Sequence, residues 1–312
     1  MKKAITVLLT SVGGITGTYL TKHFSGNADY RLIGVDMQPD VSLRGYLSNF
    51  FQVPASGDHN FMDAVKEIVR KEEVDVIIPV SSYDVDAFSK NTTDILFKNR
   101  MMVMPYEQHR NLHDKKKCYE ALEHVGVAVP KTVPKDCYPY VMKKRIGSGG
   151  KGVVAIENKE DFQYWSLKME DYICVERLKG DEYTVDCLFD RKGICVGYNT
   201  RKRMKTAGGG VVISQNCKGK GIDRIISTFE REFSLCGPIN FQFKYDENGD
   251  IPIVFDVNTR LASGGLPLTV ASGFDIPDCL VRLVLNQEVA PWTCSDAFKE
   301  LTMYRYYEEV FR

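Results

Sequence analysis

The chain has 312 residues, and its 41 Lys and Arg balance 41 Asp and Glu. A neutral chain has no overall field to draw it onto nucleic acid or an anionic membrane, so neither partner is expected and any anion site must be local. The first apolar run, Ala4 to Leu9, is too short for a secretory signal or a spanning helix, and no later run reaches ~18 residues, so a soluble, cytoplasmic protein of two or three structural units is expected.

Read in chain order, the first hundred residues alternate between strand and helix. Ala4 to Leu9 reads as a strand, Ile15 to Phe24 as a helix, Arg31 to Val35 as a strand, and Phe61 to Glu72 as an amphipathic helix. Val74 to Pro79 and Met101 to Met104 read as further strands flanking a helical stretch, Val85 to Phe97. Such alternation predicts a parallel, doubly wound sheet. The first turn, "TSVGGITG", is close to a dinucleotide fingerprint with Asp36 following. Gly14 and Gly17 fit that pattern, but Val12 stands where its first glycine belongs. Glycines required by the strand-to-helix turn alone are the competing explanation.

A second unit begins near Asp114, an N-cap for a helix over Lys115 to Val125 that Gly126 terminates. Strands then dominate. "YPYVMKKR" ends in lysines and is followed by "IGSGGKG" and the strand "VVAI". Asn158 to Met169 reads as a helix, and "YICVERLKGDEYTVDCLFD" as strand, turn and strand. Thr200 to Gly210 reads as the longest polar loop, and Arg224 to Leu235 as a helix. Ile239 to Lys244 and Ile251 to Val257 flank "DENGD", a hairpin signal. Nine cysteines form no C-x-x-C pair, and five histidines show no zinc spacing. Reduced thiols are the expectation.

Chemistry-bearing residues concentrate in two places. Lys143 closes an apolar strand just before Ser148, Gly149 and Gly150; glycines let successive N–H groups converge on an anion, and the lysine supplies a point charge. In "VFDVNTR", Asp256, Asn258 and Arg260 recur at period two and share one strand face. A solvated edge strand would show the same alternation. The hairpin register decides whether Gln242 joins them. A two-residue Asn248-Gly249 turn sets Gln242 opposite Phe255, whereas a three-residue loop over Asn248 to Asp250 pairs it with Asp256. In the second case three oxygen-bearing side chains meet, as magnesium prefers, with phosphate oxygens completing the shell.

The order of these parts resembles the ATP-grasp superfamily, most closely the carbamoyl-phosphate-synthase-like branch of carboxylate-amine ligases. The resemblance implies an α/β plus α+β protein. A Rossmann-like parallel-sheet pre-ATP-grasp domain would cover residues 1–112 and a two-lobed ATP-grasp domain residues 113–290, divided near 177; residues 291–312 would pack on the core. It implies that Lys115, Lys143 and the flap Ser148, Gly149 and Gly150 contact the phosphates of ATP. Glu176, Arg177 and Leu178 would receive adenine, and Glu182 the ribose. Gln242, Asp256 and Asn258 would hold Mg2+, with Mn2+ as an alternative ion; aspartate stands at 256 where the family commonly has glutamate. Arg260, with Lys143, would be catalytic, and Arg203, Arg260, Ser263 and Gly264 would face the substrate. The implied activity is ADP-forming ligation of a carboxylate to an amine or ammonia through an acyl phosphate, by a protein for which a homodimer is a reasonable assembly. An NAD-dependent oxidoreductase using the N-terminal sheet and a non-catalytic nucleotide-binding protein are the other readings.

Overall fold

The computed structural model describes residues 3–147, 149–208, 210–292 and 300–311. The N-terminal third supplies β1 (Ile5–Leu9), α1 (Ile15–Ser25), β2 (Tyr30–Asp36), β3 (Asn49–Gln52), α2 (Phe61–Lys71), β4 (Val76–Ile78) and α3 (Ser82–Ser89). Its strands form a parallel sheet in the order β3-β2-β1-β4. Two buried clusters flank that sheet. Val7, Leu9 and Val76 pack with α1 on one side, and Leu8, Ile33 and Ile77 pack with α2 and α3 on the other. Strand order reverses between β1 and β4, and ligands of open parallel sheets bind in the crevice outside such a point.

Next come α4 (Tyr106–His113), α5 (Lys115–His124), β5 (Tyr140–Lys144), β6 (Val153–Ile156), α6 (Lys159–Ser166) and β7 (Tyr172–Glu176). Asp114 caps α5 by accepting from the Lys116 N–H, and it also pairs with Arg145. A small antiparallel sheet, β6-β5-β7, buries Tyr140 and Met142 beneath itself, so the alternate residue Lys143 emerges on its other face.

The remainder holds β8 (Glu182–Phe189), β9 (Cys195–Ala207), β10 (Gly210–Cys217), α7 (Ile222–Glu232), β11 (Gly237–Tyr245), β12 (Pro252–Asn258), α8 (Leu266–Ala271), α9 (Ile276–Val284) and β13 (Thr302–Tyr304). These strands form an antiparallel sheet in the order β12-β11-β8-β9-β10-β13. Its two faces differ sharply in chemistry. Val185, Cys187, Phe189, Ile239, Phe241 and Phe243 point at α7 and form the main core with Ile222, Ile225 and Phe229. The alternate residues Glu182, Thr184 and Asp186, Asn199, Arg201 and Arg203, Asn240 and Gln242, and Asp256 and Asn258 lie in register on the opposite face. Leu188, Leu261, Leu266, Phe274 and Ile276 belong to the same buried cluster as Val7 and Leu9, which joins the large sheet to the N-terminal one. The mixed α/β and α+β class is therefore the one the sequence implies.

Three sequence expectations need correction. Met101 to Met104 is buried but lies outside every strand; Pro105 lacks the N–H that would extend a ladder, and an apolar connector has the same local pattern as a core strand. The helix expected over Val85 to Phe97 spans Ser82–Ser89, set at its start by a capping box of Ser81 and Asp84. The expected polar loop, Thr200 to Gly210, is mostly strand: β9 runs to Ala207 and β10 begins at Gly210. Its buried charges are neutralised across the sheet, Arg201 by Asp186 and Arg203 by Glu182, so they do not force the chain into solvent.

Candidate active site

The register of the β11–β12 hairpin fixes the site. Tyr245 pairs with Pro252, and Asp246 N–H donates to Ile251 (2.9 Å), so the tip is centred on Asn248-Gly249. That tip alone would set Phe255 opposite Gln242. Instead the register shifts: Phe243 pairs with Val254 and Gln242 pairs with Asp256, leaving Phe255 as a β-bulge. Gln242 and Asp256 do share a face, but a bulge achieves this and not the three-residue loop. The bulge is held from outside, because Tyr119 Oη donates to the Phe255 carbonyl at 2.7 Å.

A cavity of about 620 Å³ lies over this polar face. Lys115, Lys143, Gly149, Gly150, Glu182, Arg203, Gln242, Asp256, Asn258, Arg260 and Ser263 all line it. The cavity wall thus collects residues from both ends of the sequence, from Ser11 to Ser263. Glu176, Arg177 and Leu178 are not on that wall. Glu176 instead exchanges hydrogen bonds with Lys131, Arg177 pairs with Glu157, and the Leu178 carbonyl accepts from Lys244. Gly264 is turned to β10 and the C-terminal segment, where its carbonyl accepts from Arg305 (2.7 Å). Ser148 lies outside the described residues.

Asp256 is the electrostatic centre. Lys115 Nζ lies 3.3 Å from its Oδ1, and Asn258 Nδ2 donates to its Oδ2 (2.9 Å). Lys143 Nζ donates to Tyr119 Oη (3.3 Å) and lies 4.8 Å from the Phe255 ring centroid. Burial is the main force pushing the Lys143 ammonium down to about 8; Lys115 adds to this, while Asp256 and Glu182 oppose it. Arg260 is pulled below its ordinary range by burial, with Asp256 in opposition. Its guanidinium is fixed by Ser82 Oγ (2.8 Å), the Leu261 carbonyl (2.9 Å) and Asn258 Oδ1 (3.5 Å). Arg203 Nε lies 2.9 Å from Glu182 Oε1, at an angle that makes an ion pair and not a hydrogen bond. With its amide oriented to satisfy both neighbours, Gln242 donates to Glu182 (3.3 Å) and accepts from Arg203 (3.0 Å).

Seven basic side chains line the cavity, namely Lys115, Lys143, Lys144, Lys151, Arg201, Arg203 and Arg260, against the two acids Glu182 and Asp256. Such a surplus, partly desolvated, fits a polyanion. The flap glycines suit the same ligand, since Gly149 (φ +66°) and Gly150 (φ +73°) adopt backbone conformations that other residues resist. The donor set beside them also fits a hard divalent ion. Asp256 and Asn258 are adjacent oxygen donors with Gln242 opposite, and no group of three or more His, Cys, Asp or Glu suited to a metal occurs among the described residues. A cation here would need phosphate oxygens to complete its shell.

Sequence reasoning missed Tyr119, Ser82 and Asp186. Tyr119 was accessible, because it follows Lys115 by four residues on one helix and so shares its face. The period-two series in β8 and β9 carried the same signal as D-x-N-x-R. Ser82 had no local signal, being 178 residues from Arg260. The dinucleotide reading loses its support. Asp36, its ribose ligand, accepts from Gly13 N–H (2.9 Å), and a Cβ at Gly17 would sit 2.3 Å from the Ser11 carbonyl oxygen. Packing and turn geometry account for these glycines.

A pre-domain of parallel sheet followed by two antiparallel lobes enclosing a basic cavity is the arrangement of the ATP-grasp fold. More particularly, residues 168–308 match the family described as "ATP-grasp in the biosynthetic pathway with Ter operon". Several solved structures share the fold. Biotin carboxylase from Campylobacter jejuni is 18% identical, with 91% of this chain and 71% of that one covered at a TM-score of 0.69. N5-carboxyaminoimidazole synthetase from Staphylococcus aureus, complexed with ADP, is 16% identical over 93% and 79% (TM-score 0.71). L-amino acid ligase from Bacillus licheniformis is 14% identical over 91% and 75% (TM-score 0.70). No curated protein matches in sequence. No described helix is long and apolar enough to cross a membrane.

Proposed function

We propose that this protein is an ADP-forming carboxylate-amine ligase that works through an acyl phosphate. The observation that carries the reading is the pairing of Gln242 with Asp256 beneath a cavity with a surplus of cations. Lys115, Lys143 and the Gly149-Gly150 flap hold the phosphates, and Glu182 takes the ribose. Glu176, Arg177 and Leu178, at the joint between the lobes, receive the base. Asp256, Asn258 and Gln242 would hold Mg2+, or Mn2+ in its place; when bound it neutralises charge on the β- and γ-phosphates.

A carboxylate oxygen of the substrate attacks the γ-phosphorus, the bond to the bridging oxygen breaks, and ADP leaves with the electron pair. The nucleophile is already anionic, so this step needs no general base. It needs in-line positioning and charge neutralisation, which Lys143 and Arg260 supply. A neutral amine then attacks the acyl carbon, inorganic phosphate departs, and the amine's proton goes to that phosphate. Ser82 and Asn258 hold the Arg260 guanidinium, so its orientation costs little at the moment of reaction.

The fold's solved relatives support the class. Two of them are a synthetase and a ligase, and the synthetase was crystallised with ADP. The test is an ADP-release screen of carboxylates crossed with ammonia and amino acids under Mg-ATP. Release that requires both co-substrates supports the reading, and a protein that binds Mg-ATP yet releases no ADP with any pair would refute it.

A further inference from the structure

Each of the three side chains that would hold the metal already meets a cation of the protein itself. Lys115 Nζ lies 3.3 Å from Asp256 Oδ1. With the Gln242 amide oriented as above, Arg203 donates to its side-chain oxygen at 3.0 Å, and Arg260 donates to Asn258 Oδ1 at 3.5 Å. The second carboxylate oxygen of Asp256 accepts from the Asn258 amide (2.9 Å). One negative charge, that of Asp256, thus stands among three positive ones.

Two of these cations have strong partners elsewhere. Arg203 lies 2.9 Å from Glu182, and Arg260 is fixed by Ser82 and the Leu261 carbonyl. Lys115 is placed differently. It is 9% exposed, and Asp256 is the carboxylate within its ion-pair reach among the described residues. Its other contact is the Gly147 carbonyl, at a weak 3.5 Å, at the foot of the glycine flap. Lys115 opens α5, so this one ammonium touches the flap and β12 from a third element. At comparable distances Asp256 attracts a divalent ion while the surrounding cations repel it, and partial burial strengthens both effects. Phosphate oxygens reverse that balance, because they accept from Lys115 and release the carboxylate.

We propose that Lys115 competes with the divalent ion for Asp256, so that the metal set opens only when phosphate oxygens draw Lys115 away. The protein thereby excludes free divalent ions and takes the metal together with the nucleotide. Such coupling is reciprocal: whatever the nucleotide adds to metal affinity, the metal adds to nucleotide affinity. The proposal rests on the reading of Gln242, Asp256 and Asn258 as the metal set.

The test is uptake of Mn2+ alone, without nucleotide, by the full chain at neutral pH, read as loss of the free-ion electron paramagnetic resonance signal. Lys115→Met removes the charge and keeps a good helix former at the start of α5. The expected result is that this variant binds Mn2+ at least tenfold more tightly than the parent. Lys115→Arg, which keeps the charge, should behave like the parent. Lys115→Met combined with Asp256→Asn should lose the gain, which places the ion at this carboxylate. If Lys115→Met does not fold, Lys115→Gln removes the same charge and takes its place. Equal uptake by the parent and the charge-removed variant, whether both bind or neither does, overturns the proposal, and so does a gain that survives Asp256→Asn. ADP binding, measured by calorimetry on the same proteins, keeps the ligase reading separate. A parent that binds no ADP counts against that reading, while the Mn2+ comparison still decides the competition.

Discussion

Replacing Lys143 with Met separates the cost of the site from its use. Burial holds the Lys143 ammonium at about 8 instead of 10.5, so at neutral pH the folded protein carries a charge that it would shed if it could. At ~1.4 kcal/mol per pH unit, that charge costs the ligand-free protein about 3 kcal/mol. Methionine has similar length, no charge, and a thioether suited to the Phe255 and Tyr119 rings. At pH 7 the Lys143→Met protein should therefore be more stable than the parent, by about 1 to 3 kcal/mol. The pH dependence has a definite sign. The unfolded chain keeps its lysine proton up to about 10.5 and the folded one only to about 8, so the parent gains stability across that window. The advantage of the variant should accordingly shrink from pH 8 to pH 10.5. Urea denaturation of both proteins at several pH values measures it. In the same samples, stabilisation by Mg-ATP should be strong in the parent and largely lost in the variant. A variant less stable than its parent at pH 7, or an advantage that does not change with pH, would refute the reasoning.

Other outcomes follow from the same geometry. Nucleotide affinity of the parent should fall as pH rises through about 8, because Lys143 then loses the proton that a triphosphate needs; calorimetry from pH 7 to 9.5 reads this directly. Asp256→Ala should lower ADP release by at least ~100-fold, the typical consequence of losing one preorganised electrostatic partner. Tyr119→Phe removes the donor to the Phe255 carbonyl and should cost about 1 kcal/mol in denaturation experiments, with a further drop in turnover as Lys143 loses a partner. Gly17→Ala should destabilise by about 1–3 kcal/mol, since its Cβ would strike the Ser11 carbonyl and the Val12 backbone. NAD should give no thermal shift in any of these proteins.

Periodicity made much of this protein legible. The N-terminal alternation of strand and helix, the capped helix at Lys115 and the D-x-N-x-R face all follow from local patterns, and the structure shows each. What was not legible depends on partners distant in sequence. A stretch as polar as TRKRMK is an edge-of-solvent pattern until Asp186 and Glu182 lie across from it. Met101 to Met104 has a strand's composition without a strand's neighbours. The hairpin shows the limit most plainly: its tip chemistry and its polar alternation demand different registers, and only a bulge held by Tyr119 from another element reconciles them.

That reconciliation makes Phe255 a residue of unusual status. Every other position of β12 has a counterpart across the ladder, whereas Phe255 has none. Excising it would join Val254 directly to Asp256 and leave each remaining side chain on the side it already occupies. Excising Asp256 instead would also close the ladder, but with a ring in place of the carboxylate opposite Gln242. The hairpin can thus be read as an uninterrupted ladder carrying one spliced-in ring, whose business is with the lysine above it.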